Sequence, residues 1–307
     1  VRVLVTGAAG YLGRAVVTAL AAAGHQPIAM VRTGEPIPDA VETRTADLLD
    51  PGPLASTLTG IDAVCHLAGL TRARESITDP LPYFRVNTGG TITLLEAMRT
   101  AEVRHLVLAS TCAIYGAPAH QPMTEHTPDA PPHPYAASKL AAEFAVTAQA
   151  HAGDLTATVL RLPNLAGGND TDPTRLIPRT LTAAATGTPL QINGDGTTLR
   201  DYLHITDAAA AFPAALHRPG RPAARYNLGT GRGTSIMDVI AAAERITARP
   251  IPRHHNPAAP EPAALVIDPT LARTELAWTP NHSDLDTILT DTWSTWPPAD
   301  SPRKLRR

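Results

Sequence analysis

Val1-Arg2-Val3-Leu4-Val5-Thr6-Gly7-Ala8-Ala9-Gly10-Tyr11-Leu12-Gly13 is the stretch that decides the reading of the whole chain. Val1 to Val5 is a short, largely β-branched run, the pattern of a buried parallel strand. A helical pattern follows at once in Arg14, Val16, Val17 and Leu20, with Gly24 as its stop. Glycines 7, 10 and 13 therefore occupy the turn between strand and helix. Gly7 suits a sharp turn, Gly10 lets backbone amides approach a diphosphate, and Gly13 lets the helix lie close on the sheet. The N-terminal end of the helix then faces the phosphates of a dinucleotide. The spacing is G-x-x-G-x-x-G, so the strand before it and the helix after it carry the assignment.

From 1 to about 165, strand and helix patterns alternate, which predicts a Rossmann-type, doubly wound parallel α/β sheet. Further strands are expected at Pro27–Val31, Thr43–Asp47, Ala63–Leu67, His105–Ser110 and Leu155–Leu162, with long helices at Tyr83–Thr100 and Ala136–Ala150. Beyond that, 201–230 reads as a return to the first sheet. Residues 166–200 and 231–297 read as a smaller substrate lobe, and 298–307 as a flexible basic tail. Helices are expected at 174–186, 206–217, 235–247, 270–277 and 284–296, around a Pro-rich stretch at 250–262.

A formal net charge of −2 gives no broad basic surface, so neither nucleic acid nor an anionic membrane is an expected partner. Cys65 and Cys112 lie in apolar runs and read as reduced core thiols. With no apolar span of membrane length, the expectation is a soluble cytoplasmic protein. His254-His255 lack partners at ligand spacing, so no metal is expected. Trp293 and Trp296 repeat at helical spacing with Leu285, Ile288 and Leu289 and read as packing residues.

Tyr135 and Lys139 stand four apart at the start of a helix, one turn from each other on one face. An ammonium beside a phenol favours the phenolate, so Tyr135 is expected to have a lowered pKa and to act as general base and acid. Thr111, at the end of the fifth strand, is placed to orient a substrate hydroxyl against it.

With these residues in place, the chain resembles the extended short-chain dehydrogenase/reductases of the NAD-dependent epimerase/dehydratase family, and within them the nucleotide-sugar 4-epimerases. The segments that carry the likeness are Thr6–Gly13, His66–Leu70 with Glu75-Ser76, Val86–Thr91, Ser110–Gly116, Pro134–Lys139, Arg161–Asn164, Gly194–Gly196, Arg200–Tyr202 and Tyr226–Gly231. The resemblance implies that Tyr135 takes the proton of the sugar 4-hydroxyl, that Thr111 holds that hydroxyl, and that Lys139 binds the nicotinamide ribose. It implies cofactor contacts from Gly7, Gly10, Tyr11, Leu12, Gly13, Arg32, Asp47, Leu48, Leu67, Ala68, Gly69, Thr71, Asn87 and Pro163, with Asp47 ending the third strand beside the adenine. Asn164, Arg179 and Arg200 would hold a nucleotide-diphosphate sugar, with Gln191 and Asn193 near its base. The Ala-faced helices at 88–100 and 136–150 suit core packing or a homodimer, and the resemblance implies the homodimer.

Three positions depart from the family pattern. The second strand ends Met30-Val31-Arg32 without the usual carboxylate, and Arg32 with Arg14 leans the NAD(P) assignment toward NADP, with NAD still open. Pro257-Ala258 replaces a pair of arginines, so diphosphate contact there is lost or passes to Arg179 or Arg253. Leu265 replaces a tyrosine beside the hexose. The alternatives are an NADPH-dependent reductase of a 4-keto nucleotide sugar, and a non-catalytic dinucleotide sensor.

Overall fold

Alternation of side-chain direction along β1 (Arg2–Thr6), buried on both faces, sets up the layers. Val3 and Val5 share one core cluster with Val16, Val17 and Leu20 of α1 (Tyr11–Ala22), whereas Leu4 points into a second. In chain order the sheet continues through β2 (Gln26–Val31), β3 (Glu42–Thr45), β4 (Ala63–His66), β5 (His105–Thr111) and β6 (Thr156–Leu162). The computed structural model describes residues 1–34, 36–153, 155–217, 222–259 and 261–296; the expected tail at 298–307 lies outside the described residues.

After β6 come β7 (Asn164–Ala166), β8 (Leu190–Asn193), β9 (Leu199–Arg200), β10 (Tyr202–His204) and β11 (Ala223–Asn227). The central sheet has seven strands in the order β11-β6-β5-β4-β1-β2-β3, and every neighbouring pair is parallel. The order in which strands are added reverses between β1 and β4, where an open α/β sheet leaves a crevice beyond its strand ends.

The helices before β6 are α2 (Pro51–Ser56), α3 (Ala73–Thr78), α4 (Leu81–Tyr83), α5 (Gly90–Thr100) and α6 (Pro134–His151). Then follow α7 (Leu176–Thr186), α8 (Ile205–Leu216), α9 (Ile236–Thr247), α10 (Thr270–Glu275) and α11 (Leu285–Ser294). The cluster around Val3 is covered by α1 and α8, the one around Leu4 by α2, α5 and α6. A third cluster gathers Ile177 and Leu181 of α7, Val239 and Ile240 of α9, and Ile288 and Leu289 of α11, with Trp293 and Trp296 packed against it.

Several sequence expectations change here. The helix expected over 83–100 is not continuous: Phe84–Gly89 is a π-helical turn between α4 and α5. α6 starts at Pro134, two residues earlier than expected, because the His133 ring caps it: Nδ1 accepts the Ala136 N–H at 3.2 Å. Asp47 does not end the third strand but lies two residues past it, exposed, its Oδ1 accepting the Leu49 N–H at 2.9 Å. The stretch at 250–262 holds a strand, β13 (Arg253–Asn256), which pairs in parallel with β8.

The opening turn is close-packed backbone. Gly7 has φ +70°, and a Cβ there would lie 2.8 Å from the Ala68 nitrogen. A Cβ at Gly13 would lie 2.1 Å from the Gly7 carbonyl oxygen, which no rotamer relieves. Gly13→Ala is therefore expected to cost about 1–3 kcal/mol or more and to lose dinucleotide binding. Gly52→Ala, whose Cβ meets nothing within 4 Å, should be neutral or stabilising by about 0.5 kcal/mol. Urea unfolding and cofactor titration of both variants check the pair; equal stabilities would remove the close-approach argument.

Candidate active site

The crevice between β1 and β4 is fixed by a chain of buried hydroxyls and one imidazole. Thr6 and His66 are register partners on the two strands. Thr6 Oγ1 accepts the Leu67 and Ala68 N–H groups at 3.2 and 3.1 Å, and lies 2.7 Å from His66 Nδ1. With both N–H groups already directed at it, Thr6 has its proton to give, so His66 Nδ1 is the acceptor. Nε2 then carries the hydrogen and donates to Thr91 Oγ1 at 3.0 Å, and Thr91 donates to the Asn87 carbonyl at 2.6 Å. Burial, with the Lys139 charge adding to it, pushes the His66 pKa down to about 3, so the imidazole is neutral at working pH.

This chain shapes Leu67–Thr71, the segment expected to line a cofactor. Asn87 clamps it further: Oδ1 accepts the Leu70 N–H at 2.8 Å, and Nδ2 donates to the Leu70 carbonyl and to Ser138 Oγ, each at 3.0 Å. The Asn87 amide is thus engaged with the segment and with α6. The π-helical turn aims it there, presenting Asn87 to Leu70 while Thr88 donates to the Ser138 carbonyl at 2.9 Å.

Across the crevice, Thr111 ends β5 and accepts the Ala113 N–H at 3.2 Å. Its hydroxyl lies close enough to the Tyr135 phenol to favour the phenolate. Tyr135 sits in the first turn of α6, its N–H donated to Ser76 Oγ at 3.1 Å. The His133 ring stacks on it, with centroids 5.8 Å apart, and Tyr83 meets it edge-on at 6.4 Å. Thr111 and Tyr135 therefore lie side by side, and Lys139 follows one turn later on α6.

The electrostatics depart from that expectation. Burial pushes the Tyr135 pKa up to about 12, and the nearby Thr111 hydroxyl and the Arg175 charge offset this only in part. Lys139 is not among the main groups acting on the phenol. Its own pKa is pushed down to about 8 by burial, against which the Glu143 charge works. The protein without ligands holds a phenol, not a phenolate, because desolvation outweighs the neighbouring cation.

Elsewhere the expected cofactor contacts fall along the crevice. The Tyr11 hydroxyl donates to the Gly167 carbonyl at 2.6 Å, tying the glycine turn to the loop after β7. Leu48 is buried against Gly90, whose Cβ would come 3.1 Å from it. Arg32 and Thr71 are exposed, and Pro163 and Leu12 partly buried. Among the expected substrate contacts, Asn164 and Gln191 are exposed and Asn193 partly so. Arg179 donates to the Gln191 carbonyl at 2.7 Å. Arg200 donates to the Leu199 and Pro262 carbonyls at 2.8 and 2.9 Å and pairs with Glu261 at 3.3 Å.

Arg161 corrects the sequence reading outright. It opens a segment that carries the family likeness and ends on the expected substrate contact Asn164, yet its own side chain is fully buried, bonded to Glu143 and Asp129 and laid over the Tyr115 ring at 4.6 Å. Two functional candidates were missed. Arg175 holds Asp170 at 3.1 Å, lies 4.9 Å over the Tyr11 ring, and is felt at the Tyr135 phenol. Arg74 pairs with Glu261 at 3.5 Å and opposes the charge of Arg179, on which burial acts first. Arg74, Arg175, Arg179 and Arg200 give this rim an excess of cations, a setting for an anionic ligand. A charge at the start of α7 after Asp170-Thr171-Asp172-Pro173-Thr174 was the available signal for Arg175.

The glycine cradle and the hydroxyl-lined crevice fit a dinucleotide: three glycines leave the room a Cβ would fill, and the hydroxyls of Thr6 and Thr91 fix the wall beside it. The model of the NAD dependent epimerase/dehydratase family matches residues 3–229. A UDP-glucose 4-epimerase of Streptomyces lividans is 37% identical over 311 residues, covering 94% of both chains. One of Corynebacterium glutamicum is also 37% identical, covering 95% of both. Among solved structures, the Brucella ovis UDP-glucose 4-epimerase in complex with NAD superposes with a TM-score of 0.90 at 35% identity, over 95% of this chain and 97% of that one. The Stenotrophomonas maltophila UDP-glucose-4-epimerase, bound to NAD and formylated UDP-arabinopyranose, gives 0.89 at 33% identity, over 95% and 97%.

The neutral His66 has a consequence for stability. Its pKa in the fold, about 3, lies below the ordinary 6.5, so between those values the unfolded chain binds a proton that the fold excludes. Stability from this residue is fully present above pH 6.5 and is lost on acidification, at up to about 1.4 kcal/mol per pH unit. His66→Gln should be less stable at pH 7 but lose less stability between pH 7 and 5. Urea midpoints across that range measure the two slopes, and parallel slopes would show that His66 is free to protonate.

Proposed function

The chain belongs to the NAD dependent epimerase/dehydratase family, and from that premise we propose that it inverts C4 of a nucleotide-diphosphate sugar by transient oxidation. The enzyme is then an NAD(P)-dependent isomerase with no net redox change. The observation that carries this reading is the Thr111 hydroxyl at the end of β5 set beside the Tyr135 phenol in the first turn of α6, one turn from Lys139. A nicotinamide dinucleotide bound in the cradle supplies the hydride acceptor and later donor, and its oxidised ring adds a positive charge that favours the phenolate.

Thr111 orients the sugar 4-hydroxyl toward Tyr135. Tyr135 takes the hydroxyl proton as the C4 hydride leaves, and a 4-keto sugar results. When the hydride returns to the opposite face of C4, Tyr135 gives the proton back to the oxygen. The Lys139 ammonium holds a ribose hydroxyl and keeps the proton-transfer path polar. Arg175, Arg179 and Arg200, with Asn164, Gln191 and Asn193 beyond them, hold the nucleotide diphosphate. The division of labour follows the sequence: residues 1–165 with 201–230 bind the dinucleotide, and 166–200 with 231–297 bind the sugar nucleotide.

The solved relatives above carry NAD, so the expected lean toward NADP gains no support from them. NAD is the cofactor we propose, with exposed Arg32 able to accept a 2′-phosphate. The free thiols Cys65 and Cys112 are buried and suit the reducing cytoplasm. Among the described residues no helix is long and apolar enough to cross a membrane.

Purified protein is expected to isomerise its substrate with no added cofactor and to release a bound dinucleotide, identified by mass, on denaturation. Tyr135→Phe should fold and bind the dinucleotide while losing about 10²–10⁴-fold in kcat. Stoichiometric NADPH consumption would instead establish the ketoreductase, and unchanged turnover in Tyr135→Phe would end the catalytic assignment. A homodimer through α5 and α6 is the second part of the proposal: Ile92 and Phe144 on these helices are 43% and 60% exposed beside a hollow lined by Leu95 and Ala145. Phe144→Glu should convert dimer to monomer in sedimentation velocity; a wild-type monomer would refute the pairing.

A further inference from the structure

The chain contains two lysines, Lys139 and Lys304, against 24 arginines. The one in the site is therefore an ammonium in a protein that otherwise uses guanidinium. An ammonium can lose its charge when buried, and a guanidinium cannot. Lys139 is 7% exposed, so something has to hold its proton in place.

We propose that Glu143 is a positioning residue for the reaction: one helical turn beyond Lys139, locked by Arg161, Ser110 and Arg225, it is the carboxylate that keeps the Lys139 ammonium charged inside the closed site. This rests on the reading of Lys139 as part of the active site. Residues four apart on a helix are neighbours, and acid and base in that relation attract. The Glu143 side chain is fully buried and cannot turn to solvent. Arg161 Nε and Nη2 donate to its two oxygens at 3.0 and 2.7 Å. Ser110, the residue before Thr111, donates its hydroxyl to Oε1, and Arg225 Nε lies 3.3 Å from Oε2.

Other groups around Lys139 do not take this role. Tyr135 on α6 is neutral at rest, and His66 at the end of β4 is neutral and repelled by the ammonium. Cys112 after β5 and Tyr83 on α4 are pushed up by burial and stay uncharged. Glu75 on α3, Arg85 in the π-helical turn, and Glu96 and Arg99 on α5 are exposed. Arg161 on β6 and Arg225 on β11 are cations and work against Lys139. Asp129 is bonded to Arg161 Nη1 at 2.7 Å, on the side away from Glu143. The same carboxylate, through Ser110, also fixes the backbone from which Thr111 reaches the substrate.

Because the chain has two lysines, protein labelled with [13Cε]lysine gives one signal each for Lys139 and Lys304, and the pH midpoint of Lys139 is read directly, whatever the substrate. Glu143→Gln should move that midpoint down by about one pH unit or more, and the alkaline limb of kcat/KM with it. Arg225→Gln removes a competing cation from a partly exposed side chain and should move both upward. A purely structural role gives no such pair of opposite shifts. Asp129→Asn, which disturbs the same cluster without touching Glu143, should leave the midpoint within a few tenths of a unit. A folded Glu143→Gln with an unmoved Lys139 midpoint overturns the proposal. If that variant does not fold, an unmoved midpoint in Arg225→Gln overturns it instead. If the midpoints shift as expected but no sugar nucleotide is turned over, Glu143's role stands and the epimerase reading fails.

Discussion

A helix can begin only as close to the end of a strand as its Cβ atoms allow, and the rest of the molecule follows from how far that limit is pushed at Gly7, Gly10 and Gly13. A Cβ on Gly13 would be 2.1 Å from the Gly7 carbonyl oxygen, and one on Gly7 2.9 Å from Ala68 Cα. Removing those carbons lets α1, β1 and the end of β4 share one small volume. The amide-lined cradle, the crevice between β1 and β4, and the route by which Tyr11 reaches Gly167 all depend on that approach. The hydroxyl chain from Thr6 through His66 and Thr91 to Asn87 then fixes the opposite wall without introducing a charge.

Charge enters on the other side of the crevice, where α6 lies on the sheet. A buried cation and a buried carboxylate are each costly, and an ion pair recovers the cost only when its remaining donors and acceptors are filled. Glu143 meets that condition through Arg161 and Ser110, with the Arg225 charge beside it. Burial opposes the Arg161 charge as well, yet the bonds to Glu143 and Asp129 raise its pKa. Three strands and one helix are joined at that carboxylate, so the network that holds α6 on the sheet also sets the environment of Lys139. Packing and chemistry share the same atoms here.

What the sequence made legible was local. The strand–glycine–helix start, the alternation up to β6 and the Tyr135–Lys139 spacing depend on neighbours within a few residues, and they appear in place. What it hid needed partners distant in the chain. The π-helical turn at Phe84–Gly89 has no periodic signature, and its Asn87 meets Leu70 and Ser138. β13 is polar and exposed on most of its length, and it is a strand because β8 lies beside it. Arg161 sits in a segment that looked like a ligand contact, and the anions that claim it come from 18 and 32 positions away. Arg175 went unseen because its meaning lies in a contact with Tyr11, on the far side of the fold.

The sign of the tyrosine shift is the most informative of these differences. Spacing alone predicts a phenol primed by its lysine, but burial acts on both groups and drives them apart: the tyrosine up to about 12, the lysine down to about 8. Desolvation penalises whichever form is charged, so burial favours a neutral pair. A base that is ionised only when the reacting groups are assembled cannot draw protons from solvent between turnovers. In that arrangement the lysine serves less to ionise the tyrosine at rest than to remain charged until the ligand arrives. A carboxylate fixed one turn away, out of reach of water, is the means by which this fold does so.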